Sequence, residues 1–178
     1  MTLVCKLLQR HNVDIAIITE SKIQSHCPSE AYGYKITATI SPSIHQGGVA
    51  LVYRPSSFYH MERTKCFGGN VIRTTLVHAN ERQNIVGVYI PPREDDGTTL
   101  REVDRAMRNI DPEHTILLGD LNVNLHHPRN SRDSDIAETL FSYDFKDISK
   151  KFSTRRKKPH TWTWRKIING QRVHSILD

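Results

Sequence analysis

The stretch Ile116-Leu117-Leu118-Gly119-Asp120-Leu121-Asn122 ends an apolar run with a carboxylate and an amide two positions apart. Side chains two apart on a strand share a face, so Asp120 and Asn122 are expected side by side where the strand stops. Such a pair can bind a hydrated Mg²⁺ and a phosphate, or hold and polarise an attacking water. The same residue types also close ordinary turns after strands, and spacing alone does not choose. A second carboxylate is delivered in the same way, where Ile15-Ala16-Ile17-Ile18-Thr19 runs straight into Glu20. A lone Glu at a strand end is usually just solvated, and Glu20 gains meaning only in company. Tyr89 stands near another strand end, before Pro91 and Pro92 turn the chain, so its phenol can reach a ligand or sit at the edge of the core. Farther on, His160-Thr161-Trp162 precedes a hairpin that closes on Ser175 and Asp178.

These groups need elements to position them. Leu3, Val4, Leu7 and Leu8 recur at helical spacing, and residues 14–19 read as a buried strand. Residues 34–40, 48–54, 71–79 and 85–90 are rich in β-branched and aromatic types and separated by Gly, Pro, Ser and Asn, which predicts consecutive strands, several of them antiparallel. Leu100, Val103, Met107 and Ile110 return to helical period, with Asp111 and Pro112 closing the helix. Residues 115–118 then predict a short buried strand stopping at Gly119. A second helix follows over 134–143, with Ile136, Leu140 and Phe141 on one face. Asn169-Gly170 suits a two-residue type I′ turn between strands at 162–168 and 171–177. Elements interleave without a strict βαβ beat, so the expected fold is an α/β (α+β) layered sandwich on mixed, mainly antiparallel sheets. With no internal repeat and no long linker, residues 1–178 are expected to form a single domain.

Composition narrows the classes. The chain has 178 residues, 37% hydrophobic and 25% charged, which excludes collagen-like, mucin-like and wholly disordered chains. Its three cysteines, Cys5, Cys27 and Cys66, are widely spaced without a C-x-x-C pair, so neither a disulfide framework nor a zinc ribbon is encoded. No run has the length of a membrane span, and the first ten residues are too polar for a signal peptide, so a nuclear or cytoplasmic, non-secreted protein without a membrane partner is expected. The net charge of +6 is unevenly spread. Residues 1–145 carry 15 basic and 17 acidic side chains, whereas residues 146–178 carry ten basic against two acidic. A basic block beside Trp162 and Trp164 suits a polyanion, most often nucleic acid, because Lys and Arg displace condensed counterions; the alternative is a solvated surface. Arg155, Arg156, Lys157 and Lys158 lie in the exposed loop expected at 153–159.

The segments ITES, GGVALVYR, VGVYIPP, ILLGDLN, HTWTW and HSILD, in this order, resemble the endonuclease/exonuclease/phosphatase superfamily. The HTW segment, the basic loop before it and the spacing look like the apurinic-endonuclease-like endonuclease domain of non-long-terminal-repeat retrotransposons. The resemblance covers nearly the whole chain and implies a four-layer sandwich of two sheets flanked by helices. It implies an Mg²⁺-dependent (or Mn²⁺-dependent) DNA endonuclease, with a reverse transcriptase encoded in the same element as a partner. Glu20 would be the principal metal ligand. Asp120 would polarise the water or assist the leaving oxygen, Asn122 would orient water and phosphate, and Tyr89 would contact the scissile phosphate. Thr161 and Trp162 match a segment near the DNA backbone, and Asp178 matches an Asp that pairs with a catalytic histidine.

Family members begin with a strand carrying an Asn that helps set the metal site and end with an S-D-H segment. This chain opens in the following helix and closes at Asp178, so the sandwich is expected to be incomplete at both termini. Ile176 stands where Arg or Lys is usual. His126 and His127 are expected as surface loop residues. Two other functions fit the same residues: a phosphatase or phosphodiesterase acting on a small phosphate, and a non-catalytic nucleic-acid-binding remnant.

Overall fold

Residues 49–52 have no exposed surface, because this segment is covered on both faces, and for that reason the run VALV shows no polar alternation. The computed structural model describes residues 1–25, 27–93, 97–148 and the strands at 164–168 and 171–175. In order the elements are α1 (Thr2–Arg10), β1 (Ile15–Thr19), β2 (Glu30–Ala31), β3 (Tyr34–Ala38), β4 (Val49–Tyr53), β5 (Tyr59–Cys66), β6 (Val71–His78), β7 (Glu81–Tyr89), α2 (Thr98–Met107), a 3₁₀ turn (Pro112–His114), β8 (Thr115–Asp120), α3 (Ser131–Ser142), β9 (Trp164–Ile168) and β10 (Gln171–Ser175). They fall into two compact units, Met1–Asp120 and Leu121–Asp178.

The first unit holds two four-stranded sheets. One has the order β1-β4-β3-β2 and is antiparallel throughout. The other has the order β5-β6-β7-β8 and is mixed, because β8 runs parallel to β7. The period of two sorts β4 between the faces of its sheet. Ala50 and Val52 join Tyr34 and Ile36 against Cys5 and Leu8 of α1. Val49 and Leu51 face the other sheet and pack with Ile72 and Tyr89. On the far side of the second sheet, α2 lies on β6 and β7 and buries Thr99, Glu102, Val103, Ala106 and Met107, an i, i+3, i+4, i+7, i+8 stripe. The layers are thus helix, sheet, sheet, helix, the four-layer α/β sandwich expected.

Several local expectations are corrected. Residues 115–118 were expected to form a buried strand, but Ile116 and Leu118 are 39% and 40% exposed, because β8 is the outer strand of its sheet. This strand also runs through Gly119 to Asp120 instead of stopping at the glycine. β1 is likewise an outer strand and is only half-buried. On α1, Leu3 and Leu7 point outward and Cys5 is the buried position. β5 escaped the sequence pattern because YHMERTKC is largely polar, as an edge strand can be, and it bulges between Glu62 and Lys65 with Arg63 left-handed. α2 ends at Met107, three residues short of Ile110, because Asn109 turns left-handed ahead of the Asp111-Pro112 pair.

In the second unit, α3 starts at Ser131, where the Asn130 side chain accepts a hydrogen bond from Asp133 N at 2.8 Å. Asp133 is fully buried and paired with Arg129 and Arg132, whereas Phe141 is largely exposed instead of sharing the buried face of Ile136 and Leu140. β9 and β10 form the expected antiparallel hairpin, with Gln171 opposite Ile168. Its turn residues Asn169 and Gly170 lie outside the described residues. Among the described residues no helix is long and apolar enough to cross a membrane.

Candidate active site

β1 delivers Glu20 just past its last ladder residue, where the backbone turns left-handed at Glu20 (φ 49°) and again at Lys22 (φ 53°). A left-handed residue that is not Gly, Asn or Asp costs about 1 kcal/mol or more, so something must hold this segment. Ser21 N and Lys22 N donate to the carbonyls of Gly48 and Gly47, each at 3.1 Å, and Ser41 N donates to Ile23 O at 2.7 Å. Gly48 itself has φ +86°, and a Cβ there would lie 2.5 Å from Ser21 Oγ. The Gly47-Gly48 turn is therefore the clamp that fixes the Glu20 segment.

Tyr89 ends β7 with no exposed surface, its ring in the core between the two sheets. Its phenol crosses from one sheet to the other and donates to Glu20 Oε1 at 2.7 Å, joining residues 69 apart in sequence. Burial, then the hydrogen bond to Glu20, then the charges of Glu20 and Asp120 push the phenol well above its ordinary pKa of 10.0. Tyr89 is thus a neutral donor across the whole physiological range.

Asp120 is the ladder partner of Tyr89 in the parallel pairing of β7 with β8, and its carbonyl accepts from Ile90 N at 2.9 Å. The preceding Gly119 permits this: a Cβ there would sit 1.7 Å from Val88 O, inside the neighbouring backbone. Glu20, Tyr89 and Asp120 are therefore brought together by three strands from two sheets. Lys22 Nζ lies 3.4 Å from Glu20 Oε2, with both side chains nearly half exposed, 44% and 43%. Such a pair adds little stability, about 0–1 kcal/mol, yet it leaves a cation beside the carboxylate. Lys22 was not singled out in the sequence, although its place two residues after Glu20 in ITESK was available as a signal.

The alternation expected to put Asp120 and Asn122 on one face does not reach Asn122, because β8 stops at Asp120. Asn122 is left-handed (φ 50°), the turn-type geometry that Asn tolerates, and it belongs to the second unit. There its carbonyl accepts from Arg132 Nη1 at 3.3 Å, and Arg132 is held in turn by buried Asp133. His126 and His127 are exposed, as expected for a surface loop, with both backbone N–H groups on Asn124 Oδ1. One pairing was not foreseen: His126 Nε2 lies 2.8 Å from Asp147 Oδ2. Thr161, Trp162, Arg155, Arg156, Lys157, Lys158 and Asp178 lie outside the described residues.

The donors present suit a hard divalent cation. Mg²⁺ is usually held by one or two carboxylates and completes its shell with water and substrate phosphate. Glu20 and Asp120, both close to the Tyr89 phenol, supply that number. Among the described residues no group of three or more His, Cys, Asp or Glu that could hold a metal ion is found.

The model of the endonuclease/exonuclease/phosphatase family matches residues 1–173. Among solved structures, the endonuclease domain of TRAS1, a telomere-specific non-LTR retrotransposon, aligns with 99% of this chain and 76% of its own, at TM-score 0.71 and 14% identity. D. rerio TDP2 complexed with a single-strand DNA product aligns over 98% of this chain and 72% of its own, at TM-score 0.58 and 14% identity. A family protein from Leptotrichia buccalis C-1013-b aligns over 96% and 74%, at TM-score 0.52 and 13% identity. At these identities the likeness speaks for the fold. No curated protein matches the sequence.

Proposed function

The chain belongs to the endonuclease/exonuclease/phosphatase family of hydrolytic nucleases and phosphatases, and from that premise we propose that it is a DNA endonuclease of retrotransposon type that nicks target DNA by phosphodiester hydrolysis. The observation that carries this reading is the meeting of Glu20 and Asp120 around a buried, neutral phenol. Two carboxylates and a hydrogen-bond donor are what a phosphate, a water and a hard cation need in one place.

Glu20, with Asp120 beside it, would hold Mg²⁺ or Mn²⁺. When bound, such an ion polarises the phosphoryl oxygen and offsets its developing charge. The remaining work belongs to the chain. Tyr89, kept protonated, donates its single proton to Glu20 and so orients that carboxylate, while its oxygen borders the scissile phosphate. Asp120 accepts a proton from the attacking water as the new P–O bond forms, and the P–O bond to the leaving sugar oxygen breaks, that oxygen taking a proton from solvent. Asn122 orients the water and the phosphate through its amide. Lys22 neutralises part of the charge at Glu20 and keeps the entrance hospitable to an anion.

DNA is the favoured substrate because residues 146–178 carry ten basic side chains against two acidic. In this proposal Arg155, Arg156, Lys157 and Lys158 contact phosphates along the duplex, and Thr161 and Trp162 lie against the backbone. A reverse transcriptase of the same element completes the assembly in this proposal.

The test is nicking of supercoiled plasmid by the 178-residue chain with and without millimolar Mg²⁺, beside its Glu20→Gln variant. Metal-dependent open circles that Glu20→Gln abolishes are expected. Hydrolysis of an inositol phosphate with the plasmid untouched would assign a phosphatase of the same fold. Salt-sensitive DNA binding without cleavage of either substrate would assign a non-catalytic binding domain.

A further inference from the structure

Between the Gly47-Gly48 clamp and the end of β7 lies one residue that touches both, Asn70. Asn70 is only 5% exposed, and it stands at the turn where β5 hands over to β6. Its Oδ1 accepts from Gly48 N at 3.2 Å, and Gly48 O in turn holds Ser21 N, the residue after Glu20. Its backbone carbonyl accepts from Tyr89 N at 3.0 Å. Asn70 therefore reaches the segments of both partners in the Glu20–Tyr89 hydrogen bond, one through its side chain and one through its main chain.

The hub is itself held from α2. Asn70 Nδ2 donates to Thr99 Oγ1 at 3.3 Å, and Asn70 N donates to Glu102 Oε2 at 3.1 Å. The other oxygen of Glu102 accepts from Gly69 N at 3.3 Å, and Glu102 is 6% exposed. A carboxylate buried to this degree is tolerated because backbone N–H groups satisfy it, and its charge strengthens those bonds. The carboxamide of Asn70 suits this place, because its oxygen accepts from Gly48 while its nitrogen donates to Thr99.

We propose that Asn70 is a positioning residue, locked to α2 by Thr99 and Glu102, that sets the distance between Glu20 and Tyr89 and thereby the geometry of the phosphodiester site. The role rests on the phosphodiesterase reading given above, but the geometry it controls is measurable without turnover. Neither Asn70 nor Thr99 touches substrate. Their effect reaches the chemistry through the Gly48 clamp and the end of β7, and a displacement of about 1 Å in reacting groups can cost as much as 100-fold in rate.

The experiment uses the full chain labelled with carbon-13 at tyrosine Cζ, with the Tyr89 resonance assigned by its loss in Tyr89→Phe. Glu20→Ala gives the position of that resonance when the hydrogen bond is broken. Asn70→Ala and Thr99→Val are both expected to move the resonance toward the Glu20→Ala position. Asn70→Ala is expected to lower kcat about 10- to 100-fold with KM changed less than about threefold, since binding groups stay in place while alignment is lost. If Asn70→Ala does not fold, Thr99→Val decides through the same resonance. A resonance that stays at its wild-type position in the folded variants overturns the proposal, even if they melt at lower temperature, because that is the result for a purely structural Asn70. A resonance that moves in a protein that cleaves no phosphodiester supports the positioning role and removes the phosphodiesterase reading.

Discussion

Glu20 and Asp120 are both carboxylates at the ends of outer strands, yet they are held in opposite ways. Asp120 is still inside its ladder, fixed by main-chain bonds to the β7 end and by a glycine whose missing side chain lets β8 approach Val88. Glu20 has left its ladder and stands on a left-handed segment pinned by the Gly47-Gly48 turn and by Asn70. The difference teaches where each is vulnerable. A carboxylate held by the ladder is insensitive to distant polar side chains and fails when backbone atoms are crowded. A carboxylate beyond the ladder depends on the side chains that brace its turn.

The comparison breaks most sharply at the carboxyl groups themselves. Glu20→Gln and Asp120→Asn should each lower plasmid nicking by about 10²- to 10⁴-fold. Thermal melting tests the metal directly: saturating Mg²⁺ should stabilise the wild type, by about 1.4 kcal/mol at ten times Kd, and Glu20→Gln should lose that gain. A wild-type melting temperature indifferent to Mg²⁺ would count against an assembled metal site.

Next in size is Gly119→Ala, which places a methyl within the Val88 backbone and must push β8 from β7. A loss of about 3 kcal/mol in urea unfolding is expected, together with loss of nicking. Unchanged stability would mean that Asp120 is not held by this close approach. Gly48→Ala should act on the other carboxylate, costing about 1–2 kcal/mol from its left-handed backbone and its contact with Ser21. Its mark should be weakened Mn²⁺ binding, read by electron paramagnetic resonance, since Glu20 moves while β8 stays in place.

The smallest effect sharpens the link between the two ends. Folding raises the Tyr89 pKa above its ordinary value of 10.0, so the native state retains this proton when the unfolded chain has begun to release it. The stabilisation is therefore complete below about pH 10 and is lost as pH climbs toward the folded-state value. Urea midpoints between pH 9 and pH 11 should fall more steeply for the wild type than for Tyr89→Phe. Parallel slopes would show that burial and the Glu20 hydrogen bond do not raise the Tyr89 pKa on folding.

Much of this was legible in the sequence because burial leaves periodic marks. The run VALV, the β-branched content of β6, the Asn-Gly between the last two strands and the helical return at Val103 and Met107 are local patterns, and the elements formed where they occur. β5 was not legible, because an edge strand with little buried surface needs no apolar alternation. The outward turn of Leu3, Leu7, Ile116 and Leu118 was hidden too, since apolar character does not say which residues remain uncovered. Asp120 and Asn122 looked equivalent only while the strand was assumed to run through both.

By itself the sequence determined the residue types of the candidate site, the glycines that end or admit its strands, and an order of motifs from which the family could be read. Only the tertiary structure decided that Tyr89, 69 residues beyond Glu20, hands its proton-bearing oxygen to that carboxylate, and that Asn70 braces both. The reason is physical. Local propensity acts over a few neighbours, whereas these contacts arise where two sheets pack face to face and strands distant in the chain end at the same place.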